Sequence, residues 1–270
     1  LKNGIYDEKK ILTRWNPKWL WMLNPLNLES EEKKFFAFDC KVDPVFVYQD
    51  EVTAKKILDH YKLRTDLVPV ATSILDKWLE TFGNETSYLM EDGGLILDQQ
   101  ETLKRIIRYL KSNALEDEVD IEFSENKVAP TSVKYDVKTG ICKLIVGLPV
   151  EYRERQINGV LNHEIGTHLL RKLNEAKQKW YRRRRKYSLK PSISTEEGLA
   201  AINQILDAAL DQERHPLLFK PALYYYSAVK ASEMSFVELF EDLSKYIDDP
   251  QRRWKVCVRV KRGLTSTKEC

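Results

Sequence analysis

The sequence that decides the fold is EYRERQINGVLNHEIGTHLLRKL, residues 151–173 of a 270-residue chain. Its apolar pattern predicts a helix. The helix carries the hexapeptide His163-Glu164-Ile165-Gly166-Thr167-His168, which contains two of the four histidines in the chain. Imidazole and carboxylate groups are ligands that zinc accepts, so the hexapeptide is a candidate metal motif. The alternative is that two unrelated histidines share one helix.

The spacing of the two histidines is the main difficulty for a metal site. Familiar zinc peptidases carry His-Glu-x-x-His, with the histidines four residues apart. His163 and His168 are five residues apart, and at 3.6 residues per turn their rings would point ~140° away from each other. A π-bulge would return both rings to one face, and Gly166 makes such a distortion easier. The spacing therefore either excludes a shared metal or predicts a bulged helix.

A third ligand is expected downstream, where Ser194-Thr195-Glu196-Glu197-Gly198-Leu199-Ala200 opens another predicted helix. Catalytic zinc keeps three protein ligands and one open position. Acidic residues in a first helical turn can also serve only the helix dipole. Beside a His-Glu pair, we expect one of the two glutamates to be a ligand. Glu164 would then be the general base that takes a proton from water.

The rest of the chain predicts a mainly helical α+β fold with a small sheet or hairpin next to the active-site helix. Strands are predicted at 119–123, 132–137 and 141–146, the last two as a hairpin. Helices are predicted at 51–62, 67–82, 98–112, 151–173, 195–213, 220–232, 234–247 and 249–260. The predicted domain organisation is an irregular N-terminal arm at 1–40, rich in tryptophan, and one catalytic domain at 41–270. Within that domain we expect a helical lobe at 41–118, the sheet at 119–150 and a helical zinc-binding core at 151–270.

Composition excludes several classes of protein. No apolar run is long enough to span a bilayer, so no membrane association is expected. The four scattered cysteines form no CxxC pair, which indicates reduced, cytoplasmic thiols. The net charge of +3 does not favour nucleic-acid binding. The charge is uneven, because Arg182-Arg183-Arg184-Arg185-Lys186, named here the basic run, lies between the histidines and Glu197. It is either a solvated surface or a docking surface for an acidic partner.

The motifs HEIGTH at 163–168 and TEEGLA at 195–200 resemble those of the microtubule-associated tyrosine carboxypeptidases. The resemblance extends to Ala129-Pro130-Thr131-Ser132, Met234-Ser235-Phe236 and Val260-Lys261-Arg262-Gly263-Leu264. It implies one zinc ion per chain, bound by His163, His168 and Glu197, with Glu164 as the catalytic residue. Glu196 stands where bacterial relatives carry glutamine, so it is a candidate to support a ligand from behind.

The resemblance also implies an activity, a substrate and a location. These enzymes are zinc metallocarboxypeptidases that remove the C-terminal tyrosine of α-tubulin, so the expected partners are the α-tubulin tail and microtubules. The expected location is the cytoplasm, on the microtubule cytoskeleton. Two alternatives stay open: a metallopeptidase of the same family with another peptide substrate, and a microtubule-binding module whose metal site is not catalytic.

A carboxypeptidase must also bind the free α-carboxylate of its substrate, which calls for an arginine or lysine. The candidates are Arg259, Lys261 and Arg262, with surface solvation as the alternative for each. A tyrosine side chain needs an apolar pocket with a polar group. The run Tyr224-Tyr225-Tyr226 and Phe236 are available for it, although aromatic residues on helices more often belong to a core.

Overall fold

The structure is a computed structural model that describes residues 22–60, 63–125, 130–136, 139–211 and 218–268. Its α-helices are α1 (Leu28–Ala37), α2 (Glu51–His60), α3 (Val68–Phe82), α4 (Glu85–Glu91), α5 (Gln99–Ser112), α6 (Ile157–His163), α7 (Leu170–Ala176), α8 (Ile193–Leu210), α9 (Phe219–Ala231), α10 (Phe236–Asp242) and α11 (Pro250–Val260). Its strands are β1 (Val119–Ser124), β2 (Thr131–Tyr135) and β3 (Cys142–Gly147). A π-helical segment, Glu164–Leu169, joins α6 to α7. Short 3₁₀ turns lie at Arg184–Tyr187 and Leu243–Lys245.

The predicted class, a mainly helical α+β protein with a small sheet, is confirmed. Three local predictions were wrong. Helix α1 lies in the arm expected to be irregular, and α4 lies between the predicted helices at 67–82 and 98–112, where no helix was predicted. The active-site helix begins at Ile157 and not at 151, because Arg153 forms a bridge with Ile96 instead. Trp15, Trp19 and Trp21 lie outside the described residues.

The chain divides into two compact units. The first contains Leu1–Glu85 and Phe219–Cys270, and the second contains Thr86–Leu218. These bounds differ from the predicted segments at 1–40, 41–118, 119–150 and 151–270, and that domain organisation stays a prediction. No helix among the described residues is both long and apolar enough to cross a membrane.

Aromatic packing holds the first unit together. The ring centroid of Phe35 on α1 lies 5.3 Å from that of Phe236 and 5.0 Å from that of Trp254. Trp78 on α3 stacks on Phe219 on α9, with ring centroids 4.0 Å apart. All five side chains are buried, and edge-to-face or stacked rings add to the free energy gained from burial alone.

A three-stranded sheet forms the base of the second unit. Its order is β1-β3-β2, with β1 parallel to β3 and β2 antiparallel to it. The predicted hairpin of the second and third strands is therefore confirmed. A buried cluster that includes Leu144, Leu161, Ile165 and Leu169 joins the sheet to the histidine-bearing helix. Strand β2 packs against the π-helical segment, so the sheet lies beside the candidate site as predicted.

Candidate metal centre

The helix that carries the two histidines is distorted between them. Helix α6 ends at His163, the π-helical segment runs from Glu164 to Leu169, and α7 resumes the regular α-helix. In a π-helix the hydrogen bonds join residues i and i+5, so residues five apart lie on one face. The ring centroids of His163 and His168 are 5.0 Å apart. The bulge that the spacing required is confirmed.

The structure brings the three predicted ligands together. One ligand atom each from His163, His168 and Glu197 lies within 4.8 Å of the others. No other such group of three occurs in the part of the chain that the structure describes. Both histidines are partly buried, and Glu197 on α8 is 56% exposed, which leaves one side of the site open to solvent. Two imidazoles, one carboxylate and an open side form a donor set that suits catalytic zinc.

Glu196 holds His168 from behind. Its Oε1 lies 2.7 Å from Nδ1 of His168, while Nε2 of the same ring faces Glu197, 3.7 Å from Oε2. A carboxylate on Nδ1 leaves Nε2 as the lone-pair donor, which is the usual arrangement around a metal-binding histidine. Burial opposes the charged form of Glu196. The hydrogen bond from His168 and the ion pair with Arg171 outweigh it, so the pKa of Glu196 is lowered.

Glu164 is partly buried in the candidate site, and its pKa is shifted in the opposite direction to that of Glu196. Burial raises the pKa of Glu164 to about 7, against the opposing effect of His168 and Lys172. Lys172 is itself held by the sheet, since its Nζ donates to the backbone oxygen of Val133 at 2.6 Å. A carboxyl group that exchanges its proton near neutral pH can act as both general base and general acid.

Side chains from α8 hold the bulge in place. Thr167 Oγ1 donates to the backbone oxygen of Asn162 at 3.2 Å, five residues earlier. Asn203 on α8 donates its Nδ2 to Thr167 Oγ1 at 2.8 Å. The side chain of Asn162 is held between Tyr109, at 2.7 Å, and Asp207, at 3.3 Å. The helix that provides Glu197 therefore also fixes the spacing of the two histidines.

Thr167→Val is expected to loosen this arrangement. Valine keeps the shape of threonine but removes the hydroxyl group, so the side-chain amide of Asn203 loses its acceptor. Leaving such a group unpaired costs about 1–3 kcal/mol. We expect a lower melting temperature without metal and weaker zinc binding, measured by calorimetric unfolding and chelator competition. Thr139→Val is the control: this hydroxyl group also accepts a hydrogen bond, from the backbone nitrogen of Ile141 at 3.3 Å, but at an exposed turn where water can replace it. Equal effects of the two substitutions would contradict the role of Thr167.

Helices α6 and α8 approach each other closely at Gly159. A Cβ atom built there would lie 2.2 Å from the backbone oxygen of Gln204. Gly159→Ala should therefore push the histidines away from Glu197 and lower the free energy of unfolding by about 1–3 kcal/mol. Gly198→Ala is a matched control, because a Cβ there has no neighbour within 4 Å. Denaturant unfolding of both variants checks the prediction, which fails if Gly159→Ala is as stable as Gly198→Ala.

The predicted carboxylate-binding residues all lie in the first unit, whereas the metal centre lies in the second. The prediction for Lys261 was wrong, because this side chain is fully buried and donates to the backbone oxygen of Met234 at 2.5 Å. The guanidinium of Arg259 lies over the ring of Tyr224, 4.5 Å from its centroid. Arg262 is partly buried, and burial lowers its pKa. Substrate binding by these two arginines stays a prediction.

The aromatic residues proposed for a tyrosine pocket have structural roles. Phe236 and Tyr226 are buried in the first unit. The hydroxyl group of Tyr226 donates to Asp242 at 2.9 Å, and that of Tyr225 donates to the backbone oxygen of Arg64 at 2.7 Å. The core interpretation is therefore the correct one for Phe236 and Tyr226.

A comparison with known protein families identifies the same family as the sequence motifs. The sequence model of the family described as microtubule-associated tyrosine carboxypeptidase (MATCAP) matches residues 89–270. The chain belongs to this family. The MATCAP match covers the π-helical segment and every residue of the metal centre, as well as the candidates in the first unit from Tyr224 onwards.

Curated MATCAP relatives are similar over nearly all of this chain. It is 33% identical over 252 residues to the putative tyrosine carboxypeptidase MATCAP2 of Mus musculus, covering 93% of this chain and 47% of that protein. It is 32% identical over 254 residues to microtubule-associated tyrosine carboxypeptidase 1 of Homo sapiens, covering 93% and 52%. The chain thus spans about half the length of the curated relatives it matches.

Several residues around the candidate metal centre were missed in the sequence. Lys172, Asn203 and Tyr109 come from separate elements, and no spacing rule links them. Arg171 and Glu175 could have been found, since an Arg-Glu pair four residues apart on a helix indicates an ion pair. Thr167 lies inside the motif itself, but only the bulge shows that its hydroxyl reaches the backbone oxygen of Asn162.

Proposed function

We propose that this chain is the catalytic part of a zinc metallocarboxypeptidase that removes the C-terminal tyrosine of α-tubulin. The observation that carries the proposal is the convergence of His163, His168 and Glu197 on one point beside Glu164. Membership of the MATCAP family supports the peptidase activity and the choice of substrate.

Each of the three proposed ligands would have a distinct part in binding zinc. His163 is partly buried, and burial lowers its pKa, which favours the neutral imidazole that can bind a metal. His168 is oriented by Glu196, and Glu197 provides the third donor from a separate helix. A bound zinc ion would supply Lewis acidity, polarising the scissile carbonyl group and making water more acidic.

Glu164 would move the proton. As the residue after His163, it lies at the start of the π-helical segment and at the edge of the ligand group. Its carboxylate would take a proton from the attacking water and deliver it to the leaving amino group. The same carboxyl group serves both steps because burial raises its pKa to about 7.

The proposed partner is the acidic C-terminal tail of α-tubulin, in microtubules or in free tubulin. The proposed location is the cytoplasm, on the cytoskeleton. The alternative of a non-catalytic, microtubule-binding module has less support, because a metal site that only stabilises the fold does not need a carboxyl group with a raised pKa beside it.

Mass spectrometry of tubulin provides the test. Purified tubulin is incubated with the zinc-loaded protein and the α-tubulin tail is analysed for loss of one tyrosine. Peptides that end in other residues are tested in parallel. Loss of tyrosine from tubulin supports the proposal, and release from other peptides alone would favour a different substrate. Zinc binding without any release would favour the binding module.

A further inference from the structure

A chain of alternating charges begins at the metal ligand His168 and ends in the basic run. Glu196 Oε1 contacts His168, and Glu196 Oε2 lies 2.5 Å from Nε of Arg171. Nη1 of Arg171 donates to Glu175 Oε2 at 2.5 Å, and Nη1 of Arg184 donates to Glu175 Oε1 at 3.1 Å. Four charged side chains therefore connect the metal centre to the segment between α7 and α8.

Arg184 also closes this segment on itself. Its Nη2 donates to the backbone oxygen of Lys190 at 2.8 Å. We name residues 177–190 the basic loop. All seven of its other cations are exposed and without an acidic partner among the residues that the structure describes; they are Lys177, Lys179, Arg182, Arg183, Arg185, Lys186 and Lys190. Arg184 is therefore the member of the basic run whose guanidinium group forms an ion pair within the described part of the protein.

All four side chains have restricted access to solvent, and the two carboxylates are more buried than the two guanidinium groups. The side chains of Arg184 and Arg171 are 31% and 32% exposed, Glu175 is 18% exposed and Glu196 is 8% exposed. Charged pairs with restricted access to solvent are screened less than surface pairs, and a carboxylate shared by two arginines keeps a defined geometry. Glu175 is such a carboxylate, because it contacts both Arg171 and Arg184.

We propose that Arg171, Glu175 and Arg184 are positioning residues that hold Glu196 against His168 and fix the basic loop to the metal centre. Without Arg184, Glu175 would keep the ion pair with Arg171, and the loop would lose the ion pair that joins it to Glu175 on α7. Without Glu175, Arg171 could move away from Glu196. Glu196 would then hold His168 without support from Arg171. The proposal concerns metal binding, and it rests on the proposed function only in taking His168 as a ligand.

Zinc affinity and proteolysis of the basic loop test this proposal together. Arg184→Gln and Glu175→Gln are compared with Arg185→Gln, which removes the neighbouring, unpaired cation. Zinc affinity is measured by competition with a chromophoric chelator, and cleavage by trypsin is mapped within residues 177–190. Arg184→Gln and Arg185→Gln each remove one tryptic site. Any difference in cleavage between them therefore reports the loss of the contact between Arg184 and Glu175. Thermal unfolding checks that each variant is folded.

We expect Arg184→Gln and Glu175→Gln to weaken zinc binding about three- to tenfold, less than the ~10- to 100-fold typical of losing a direct partner such as Glu196. Trypsin should cut the loop of Arg184→Gln about threefold faster than that of Arg185→Gln, because the loop opens more often. Arg184→Lys keeps the charge, so its zinc affinity should fall between those of Arg184→Gln and Arg185→Gln. Equal zinc affinity in Arg184→Gln and Arg185→Gln would overturn this proposal alone. A parent protein that binds no zinc would overturn the proposed metal site as well.

Discussion

Glu164→Gln is expected to abolish most of the proposed peptidase activity, whereas folding and the proposed zinc binding should be unchanged. Glutamine has the shape of glutamate but cannot accept a proton at this position. Loss of a general base typically costs about 10²- to 10⁴-fold in rate. The fall should appear in kcat, measured with a peptide that ends in tyrosine, because the proton moves in the chemical step.

Zinc content and thermal unfolding are the controls for this variant, since Glu164 is not one of the three ligands. A second control is Glu196→Gln, which should act through zinc affinity and recover activity at high zinc concentration. Glu164→Gln should not recover. Turnover by Glu164→Gln at the parent rate, with zinc bound, would exclude Glu164 as the base.

The grouping of the three candidate ligands could be predicted from sequence, because the unusual spacing of the two histidines had one physical solution. Histidines five residues apart are incompatible with one metal on a regular α-helix, and a π-bulge is the local distortion that reunites them. A glutamate of the Glu196-Glu197 pair was expected in the group because the pair opens a helix downstream of a His-Glu pair, and the family resemblance favoured Glu197. Each of these inferences depends on local spacing, which the sequence shows directly.

Other features depend on contacts between distant residues and could not be predicted. The parallel pairing of β1 with β3 places the hairpin partner β2 at the edge, next to the π-helical segment. Nothing in the composition of Thr131–Tyr135 indicates this position. Lysine side chains are usually exposed, and Lys261 was interpreted in that way. In the structure it is buried, and its ammonium group donates to the backbone oxygen of Met234. Helix α1 was missed because tryptophan and proline earlier in the arm dominated its interpretation.

The basic run illustrates how one sequence pattern can combine two roles. As a sequence it offered a solvated surface or a docking surface, and five adjacent cations could not be told apart. In the structure Arg184 donates to the carboxylate of Glu175 and to the backbone oxygen of Lys190, while Arg182, Arg183 and Arg185 are exposed. Exposed cations contribute little to stability, so those three arginines, like the exposed Lys186, are available to an acidic partner.

Replacing Arg182, Arg183 and Arg185 together by glutamine is expected to slow the capture of an acidic substrate. Clustered charge raises association rates by about 10- to 10³-fold, and salt screens the effect. We expect kcat/KM for a glutamate-rich peptide ending in tyrosine to fall about tenfold or more at low ionic strength, and much less at high ionic strength. An uncharged peptide ending in tyrosine should respond far more weakly.

A matched triple variant separates the position of these charges from their number. Lys104, Arg108 and Lys111 are exposed on α5 in the same unit, and their replacement by glutamine changes the net charge equally. If the basic loop guides the acidic tail towards Glu197, only the loop variant should lose its salt-dependent preference for the acidic peptide. An equal loss in both variants would show that the effect depends on net charge and not on the position of the charges. An unchanged salt dependence in the loop variant would show that Arg182, Arg183 and Arg185 are only solvated, and that capture of the acidic tail occurs elsewhere.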